Sequence, residues 1–300
     1  MAIPESQLET WSHQGSVVQS STTYQIVRNA LLDSNAVYAT KSFDVFLQGS
    51  YGNDTNIYTE SDVDTVIKLS SIFRGDVSGL PPEQQAAYRQ TYGDASYTFA
   101  EFKQGVVTRL SNAFGADNVK PGNKAIKIKA NGSRRSADVV TCYEYRRYTR
   151  FISLNDYEYV SGIIFPTTSG SEIINYPKLH SDNCTTKHQA TNNKFKPLVR
   201  IFKNMRSKLE ADALIEKGVA PSYFIEGLLY NYNAPNSNFS GTYGNIVLNI
   251  LKWLYQTTDR SKFLCVNEQY YLLRDNNPVC WPLTNGEQFI NAVIRLWNNW

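Results

Sequence analysis

An α+β fold is predicted by three features of this 300-residue sequence. Apolar, β-branched runs dominate its first half, and helical stripes fill its second. Its clearest strand–turn–strand passage, Phe43 to Leu69, stands near the start. The expected division is a core sheet with an N-terminal helix over residues 1–190 and a helical lobe over 191–300, with an active-site cleft between them.

From about Glu5 to Leu32 the sequence predicts mainly helix, with Gly15 as an interruption and Asp33-Ser34-Asn35 as the stop. Phe43 to Leu47 predicts a buried strand that turns at Gly49, and Val63 to Leu69 a second strand. Gly75 to Pro82 is expected as a loop. Pro82 then opens a helical stretch that breaks near Gly93-Asp94 and runs on to Phe114. Lys124 to Ala130 alternates basic and apolar residues, as a half-exposed strand does. Asn131-Gly132 then turns the chain into an apolar run headed by Asp138. Tyr157 to Phe165 and Glu172 to Tyr176 predict two more strands, joined by the turn Thr167-Thr168-Ser169-Gly170. A helix is predicted over Phe195–Lys217 with Gly218 as its stop, followed by helices over Pro221–Tyr232, Gly244–Thr257 and Gly286–Trp297.

Two short stretches carry chemistry. Gln48-Gly49-Ser50 follows the first strand, where glycine permits a sharp turn and leaves an amide beside a hydroxyl, both able to hold a phosphate oxygen. Asp62 and Asp64 open the second strand, and residues two apart on a strand share a face, so both carboxylates can meet one cation. Asp138, an isolated carboxylate at the head of Val139-Val140-Thr141-Cys142, is the candidate third ligand. A phosphate-cradling turn beside paired carboxylates is what metal-dependent nucleotidyl transfer requires.

Composition narrows the alternatives. A net charge of +3 is too small to argue for general nucleic-acid binding. Lys120, Lys124, Lys127, Lys129, Arg134 and Arg135 nevertheless cluster before Asp138, and Arg146, Arg147 and Arg150 follow it, as a rim for a polyanion or as a solvated face. The four cysteines form no Cys-x-x-Cys pair, and Cys142 and Cys265 sit in apolar runs as buried thiols do. His180, Cys184 and His188 invite a zinc reading. Structural zinc takes four protein ligands, though, and no fourth Cys or His stands nearby in what reads as a polar loop. The first residues carry no signal-peptide pattern, and no segment approaches the ~18 apolar residues of a membrane span. A cytoplasmic protein without a membrane partner is expected.

The order strand, Gly-Ser, polar stretch, Asp-x-Asp, strand, with a third acidic residue beyond, resembles the DNA polymerase β-like nucleotidyltransferases. Further motifs sharpen the likeness: Ile3-Pro4-Glu5-Ser6-Gln7-Leu8-Glu9-Thr10-Trp11, Asn175-Tyr176-Pro177-Lys178-Leu179-His180 and Ala220-Pro221-Ser222-Tyr223-Phe224-Ile225-Glu226-Gly227. With them, nearly the whole chain resembles the bacterial CD-NTases (cGAS/DncV-like nucleotidyltransferases), in their E clade (CdnE, cyclic UMP–AMP synthase type). The resemblance implies template-independent joining and cyclisation of nucleoside triphosphates in CBASS anti-phage signalling, with a product that acts on a separate effector. It implies two Mg²⁺ ions, replaceable by Mn²⁺, held by Asp62, Asp64 and Asp138. Gln48, Gly49, Ser50, Lys203 and Ser222 would contact phosphates, and Tyr223 would stack on a base. Asn175 occupies the place where pyrimidine-accepting members carry asparagine, so UTP and ATP are the expected substrates. A monomer is expected, and activation by nucleic acid is not. The competing reading is a related transferase that adds nucleotides to RNA or a small acceptor along the basic Lys120–Arg135 region.

Overall fold

The computed structural model describes residues 2–15, 17–58, 62–132, 134–168 and 170–300. Ser61, which precedes the aspartate pair, and Ser169 of the expected Thr167–Gly170 turn lie outside the described residues. The elements begin with α1 (Glu5–Ser12), α2 (Val18–Leu31), β1 (Phe43–Leu47), the single turn α3 (Gly49–Gly52), β2 (Val63–Asp76), α4 (Pro82–Thr91) and α5 (Phe99–Phe114). They continue with β3 (Val119–Pro121), β4 (Ile126–Ile128), β5 (Ala137–Ser153), β6 (Asp156–Pro166) and β7 (Glu172–Asn175). The last are α6 (Pro177–Ala190), α7 (Phe195–Ala211), α8 (Ser222–Tyr230), α9 (Tyr243–Gln256) and α10 (Leu283–Asn298).

These elements fall into two compact units. The sheet unit takes Val18–Gln48 and Ser61–Pro177; the helical unit takes Met1–Val17, Gly49–Glu60 and Lys178–Trp300. Among the described residues the strands form one seven-stranded sheet in the order β1-β2-β5-β4-β3, with β6 pairing β5 and β7. β2 and β5 run parallel and every other pairing is antiparallel. Val63, Val66, Ile67 and Leu69 of β2 are buried, as are Val139, Val140 and Cys142 of β5. Near-continuous burial is what a central parallel pair should show. One face is closed by helices: the buried Tyr38 ring meets Phe43 of β1 at 5.2 Å and Phe102 of α5 at 5.3 Å, both edge-on. β2 continues past the expected end at Leu69 to Asp76, through a register shift, because the long β5 still offers it a partner as far as Arg147.

In the helical unit the stripe predicted on α7 is the core: Leu198, Ile201, Phe202, Met205 and Leu209 are all buried. The helix ends at Ala211, before the expected stop at Gly218. Ala213 takes a left-handed φ of 54°, its N–H bonds Glu210 O, and the Leu214 N–H reaches back to Leu209 O at 2.8 Å. That is a Schellman closure with alanine where glycine is usual, so no glycine marks it. Residues 181–187, expected as a polar loop around the zinc-like spacing, lie within α6 instead, with His180 and Cys184 turned inward. α1 packs on α7 and α9. Its Glu5 carboxylate accepts from the first two amides of α9, Tyr243 N at 2.6 Å and Gly244 N at 2.7 Å. Among the described residues no helix is long and apolar enough to cross a membrane.

A carboxylate on two free helix amides both satisfies them and opposes the helix dipole. Glu5→Ala is therefore expected to lower the unfolding free energy by about 1–2 kcal/mol in urea titration. Glu5→Gln, which keeps an acceptor but no charge, should lose less.

Candidate active site

The parallel register of β2 and β5 decides where the acidic residues meet. Val63 pairs with Ala137 and Asp64 with Asp138, so these two carboxylates stand on neighbouring strands with side chains on one face. Asp62 lies one residue before β2 and is exposed; its carboxylate accepts from the Ser136 hydroxyl. Burial raises the Asp138 carboxyl above the ordinary carboxylate range, and the charge of Asp62 raises it further. Lys127, its register partner on β4, opposes both effects. The three aspartates of the sequence reading therefore lie together in the sheet unit. Hard oxygen donors of this kind suit Mg²⁺ or Mn²⁺.

β1 delivers Gln48 to this edge: its backbone N–H bonds Asp64 O at 3.0 Å, and among the described residues its buried Oε1 has no partner. Gly49 follows with a left-handed φ of 68°, the conformation for which glycine is needed. Asn175, on β7, also belongs to the aspartate face. Asp138 shares its side with Glu144 along β5, Glu144 pairs with Ile163, and Ile163 pairs with Asn175. Asn175 Oδ1 accepts from Tyr176 N at 2.8 Å, which leaves Nδ2 as the atom facing outward chemistry.

The basic residues divide. Lys127 is exposed beside Asp138, but Arg134 is buried, donating to Lys129 O at 2.6 Å over the Phe114 ring. Arg146 pairs with Glu144 at 2.7 Å and lies 3.9 Å over Phe73. Arg150 pairs with Asp156. Arg134, Arg146 and Arg150 are thus engaged in local packing and ion pairs, while Lys120, Lys124, Lys127 and Lys129 are exposed.

In the helical unit, Ser50 is half-buried and its carbonyl accepts from Thr55 N at 2.8 Å. Ser222 opens α8, and Arg206 reaches its hydroxyl at 3.4 Å. The half-buried Tyr223 ring packs at 4.4 Å on His180 and stacks at 5.6 Å on Trp281, while Asn267 Nδ2 donates to its hydroxyl; burial pushes its phenol up. Lys203 is fully buried and its Nζ donates to Thr55 O at 2.8 Å.

Sequence reasoning grouped His180 with Cys184 and His188. The structure groups His180 and Cys184 with Glu226, their donor atoms within 4.8 Å of one another. Glu226 already accepts from His180 Nε2 at 2.7 Å and from the Thr55 hydroxyl. Burial and the Glu226 charge push the Cys184 thiol well up, away from the thiolate a metal needs. The cluster is a hydrogen-bonded network. Ser136, Thr55 and Glu226 were missed as site residues. Ser136 stood two positions before Asp138, and Glu226 one helical turn after Ser222.

A mixed sheet with neighbouring strand aspartates, joined to a helical unit, defines a nucleotidyltransferase, and comparison with known proteins gives the family. The C-terminal helical domain of the cGAS/DncV-like nucleotidyltransferases matches residues 182–298. The cyclic nucleotide synthase CdnE01 of Staphylococcus haemolyticus is 39% identical over all of both chains. The cyclic UMP-AMP synthase of Rhodothermus marinus is 38% identical over 100% of this chain and 99% of its own. The structure of R. marinus CdnE with Apcpp and Upnpp superposes with a TM-score of 0.87 at 37% identity, covering 99% of this chain and 97% of that one. Elizabethkingia meningoseptica CdnE with GTP and Apcpp gives 0.76 at 28% identity, with 99% and 98% covered. The chain belongs to the cGAS/DncV-like nucleotidyltransferases, in the CdnE clade. Nucleotidyl transfer in this family is metal-dependent.

If Asp138 is a metal ligand, a divalent cation should raise the melting temperature of the wild-type protein more than that of Asp138→Asn, because a ligand that binds only the folded state stabilises it in proportion to its affinity. Equal shifts in a thermal melt with Mg²⁺ or Mn²⁺ would remove Asp138 from the ligand set.

Proposed function

We propose that this chain joins nucleoside triphosphates without a template and closes them into a uridine-containing cyclic dinucleotide, cyclic UMP–AMP or a related product. The observation that carries this reading is the pairing of Asp64 with Asp138 beside Asp62, in a chain 38% identical over its full length to a cyclic UMP-AMP synthase. Cytoplasmic anti-phage signalling through a separate effector, with the protein acting as a monomer, is the setting that accompanies it.

Asp62, Asp64 and Asp138 would hold two Mg²⁺ ions. When bound, such ions polarise the α-phosphate and offset the charge that develops on it. The protein's own contribution begins with proton transfer. Asp138 would help take the proton of the attacking ribose hydroxyl. The Ser136 hydroxyl fixes the rotamer of Asp62. Gly49 and Ser50 present an amide and a hydroxyl to the triphosphate, Ser222 adds a second hydroxyl, and the exposed part of Tyr223 offers a ring to a base of any identity.

Base choice falls to Asn175. With Oδ1 held by Tyr176 N, the free Nδ2 donor favours a carbonyl such as uracil O4 over the exocyclic amine of cytosine or adenine. Incubation with the four NTPs and Mg²⁺, followed by mass spectrometry, should yield a phosphatase-resistant cyclic product that contains uridine. Asn175→Ser should shift incorporation toward purines; unchanged nucleotide choice would remove the residue from base selection. Asp62→Ala/Asp64→Ala should cut pyrophosphate release by about a thousandfold or more, since metal ligands supply several kcal/mol of transition-state stabilisation. A linear product that grows on an added RNA acceptor would favour the competing transferase.

A further inference from the structure

The Gly49–Thr55 segment is closed on itself: Asn53 N bonds Gly49 O at 3.0 Å and Thr55 N bonds Ser50 O at 2.8 Å. Its far end is anchored twice. The Thr55 hydroxyl donates to Glu226 Oε1, and the Thr55 carbonyl accepts from Lys203 Nζ. Glu226 is 2% exposed and Lys203 is 0% exposed, so both charges are removed from water. The second Glu226 oxygen is held by His180 Nε2 at 2.7 Å. Although burial alone would raise the Glu226 carboxyl, His180, Lys203 and Thr55 together outweigh it and hold it lowered. Three helices, α6, α7 and α8, therefore contribute one charged side chain or ring each to a network that meets the Ser50 turn at Thr55.

Buried charge is costly, and a network of this kind is retained when every member is satisfied. A lysine and a glutamate converging on one threonine do more than fill a core. They fix both the side chain and the carbonyl of the residue that closes the Ser50 turn.

We propose that Glu226 and Lys203 are positioning residues that set the Ser50 turn through Thr55. The proposal rests on the reading of Ser50 as a phosphate contact. It goes beyond that reading by assigning the grip's geometry to two buried charged side chains and one threonine hydroxyl.

The test uses the full-length protein with Mg²⁺ and measures pyrophosphate release at varied NTP concentration, alongside the melting temperature. Thr55→Val removes the hydroxyl but keeps shape and carbonyl, and it should raise KM for NTP about tenfold with a much smaller change in kcat. Thr55→Ser, which retains the hydroxyl, should restore KM to within about twofold of wild type. Ser50→Ala should also raise KM. Combining it with Thr55→Val should add little, because residues that act through one contact are not additive. Thr55→Val with unchanged KM, or full multiplicative additivity in the double variant, overturns the proposal while the Ser50 reading survives. Ser50→Ala with unchanged KM overturns that reading, and the proposal with it. A melting temperature lowered equally in Thr55→Val and Thr55→Ser, with no KM difference between them, also overturns it, since the hydroxyl would then have no positioning role.

Discussion

The parallel pairing of β2 with β5 is the constraint on which the catalytic sheet depends. The two strands are joined by sixty residues of connecting chain, yet their register places Asp64 opposite Asp138 without an offset. A slip of one residue would turn one carboxylate to the helix-covered face and destroy the pair. The register is held by apolar side chains that alternate with the aspartates: Val63, Ile67 and Leu69 on β2, and Ala137 and Val139 on β5, all of them buried. Catalytic geometry is thus maintained by residues that take no part in chemistry.

The same logic recurs in the helical unit in polar form. There the fixed object is the turn after β1, and the fixing agents are buried charges. Glu226 is held ionised in that interior by His180, Lys203 and Thr55 together, against the cost of its burial. Sheet and helices each hold a chemical group in place, one by packing and the other by electrostatics.

Much of this was legible in the sequence. The Gly-Ser turn, the aspartate pair and Asp138 stood out because each sits at the end of an apolar run, where a charged residue has no packing reason to be. Asn175 and the Ser222-Tyr223 pair were found through family likeness, not through spacing. Other features left no local signal. Ala213 closes α7 in a conformation that glycine usually advertises, and the length of β2 depends on a partner strand distant in sequence. Residues 177–190 are rich in polar side chains, which hid a helix whose buried face is only His180 and Cys184. Thr55 and Glu226 are 171 positions apart, a separation at which no pattern in one sequence could link them.

The clasp between Glu5 and the start of α9 has a consequence for how the protein is made. The contacting residues are separated by 238 positions. At the usual pace of translation, on the order of ten to fifty seconds pass between synthesis of the first helix and appearance of its partner. During that interval α1, eight residues long, is too short to persist as a helix by itself. α1 therefore settles only after α9 has been made, and completion of the helical unit waits on segments far apart in the chain.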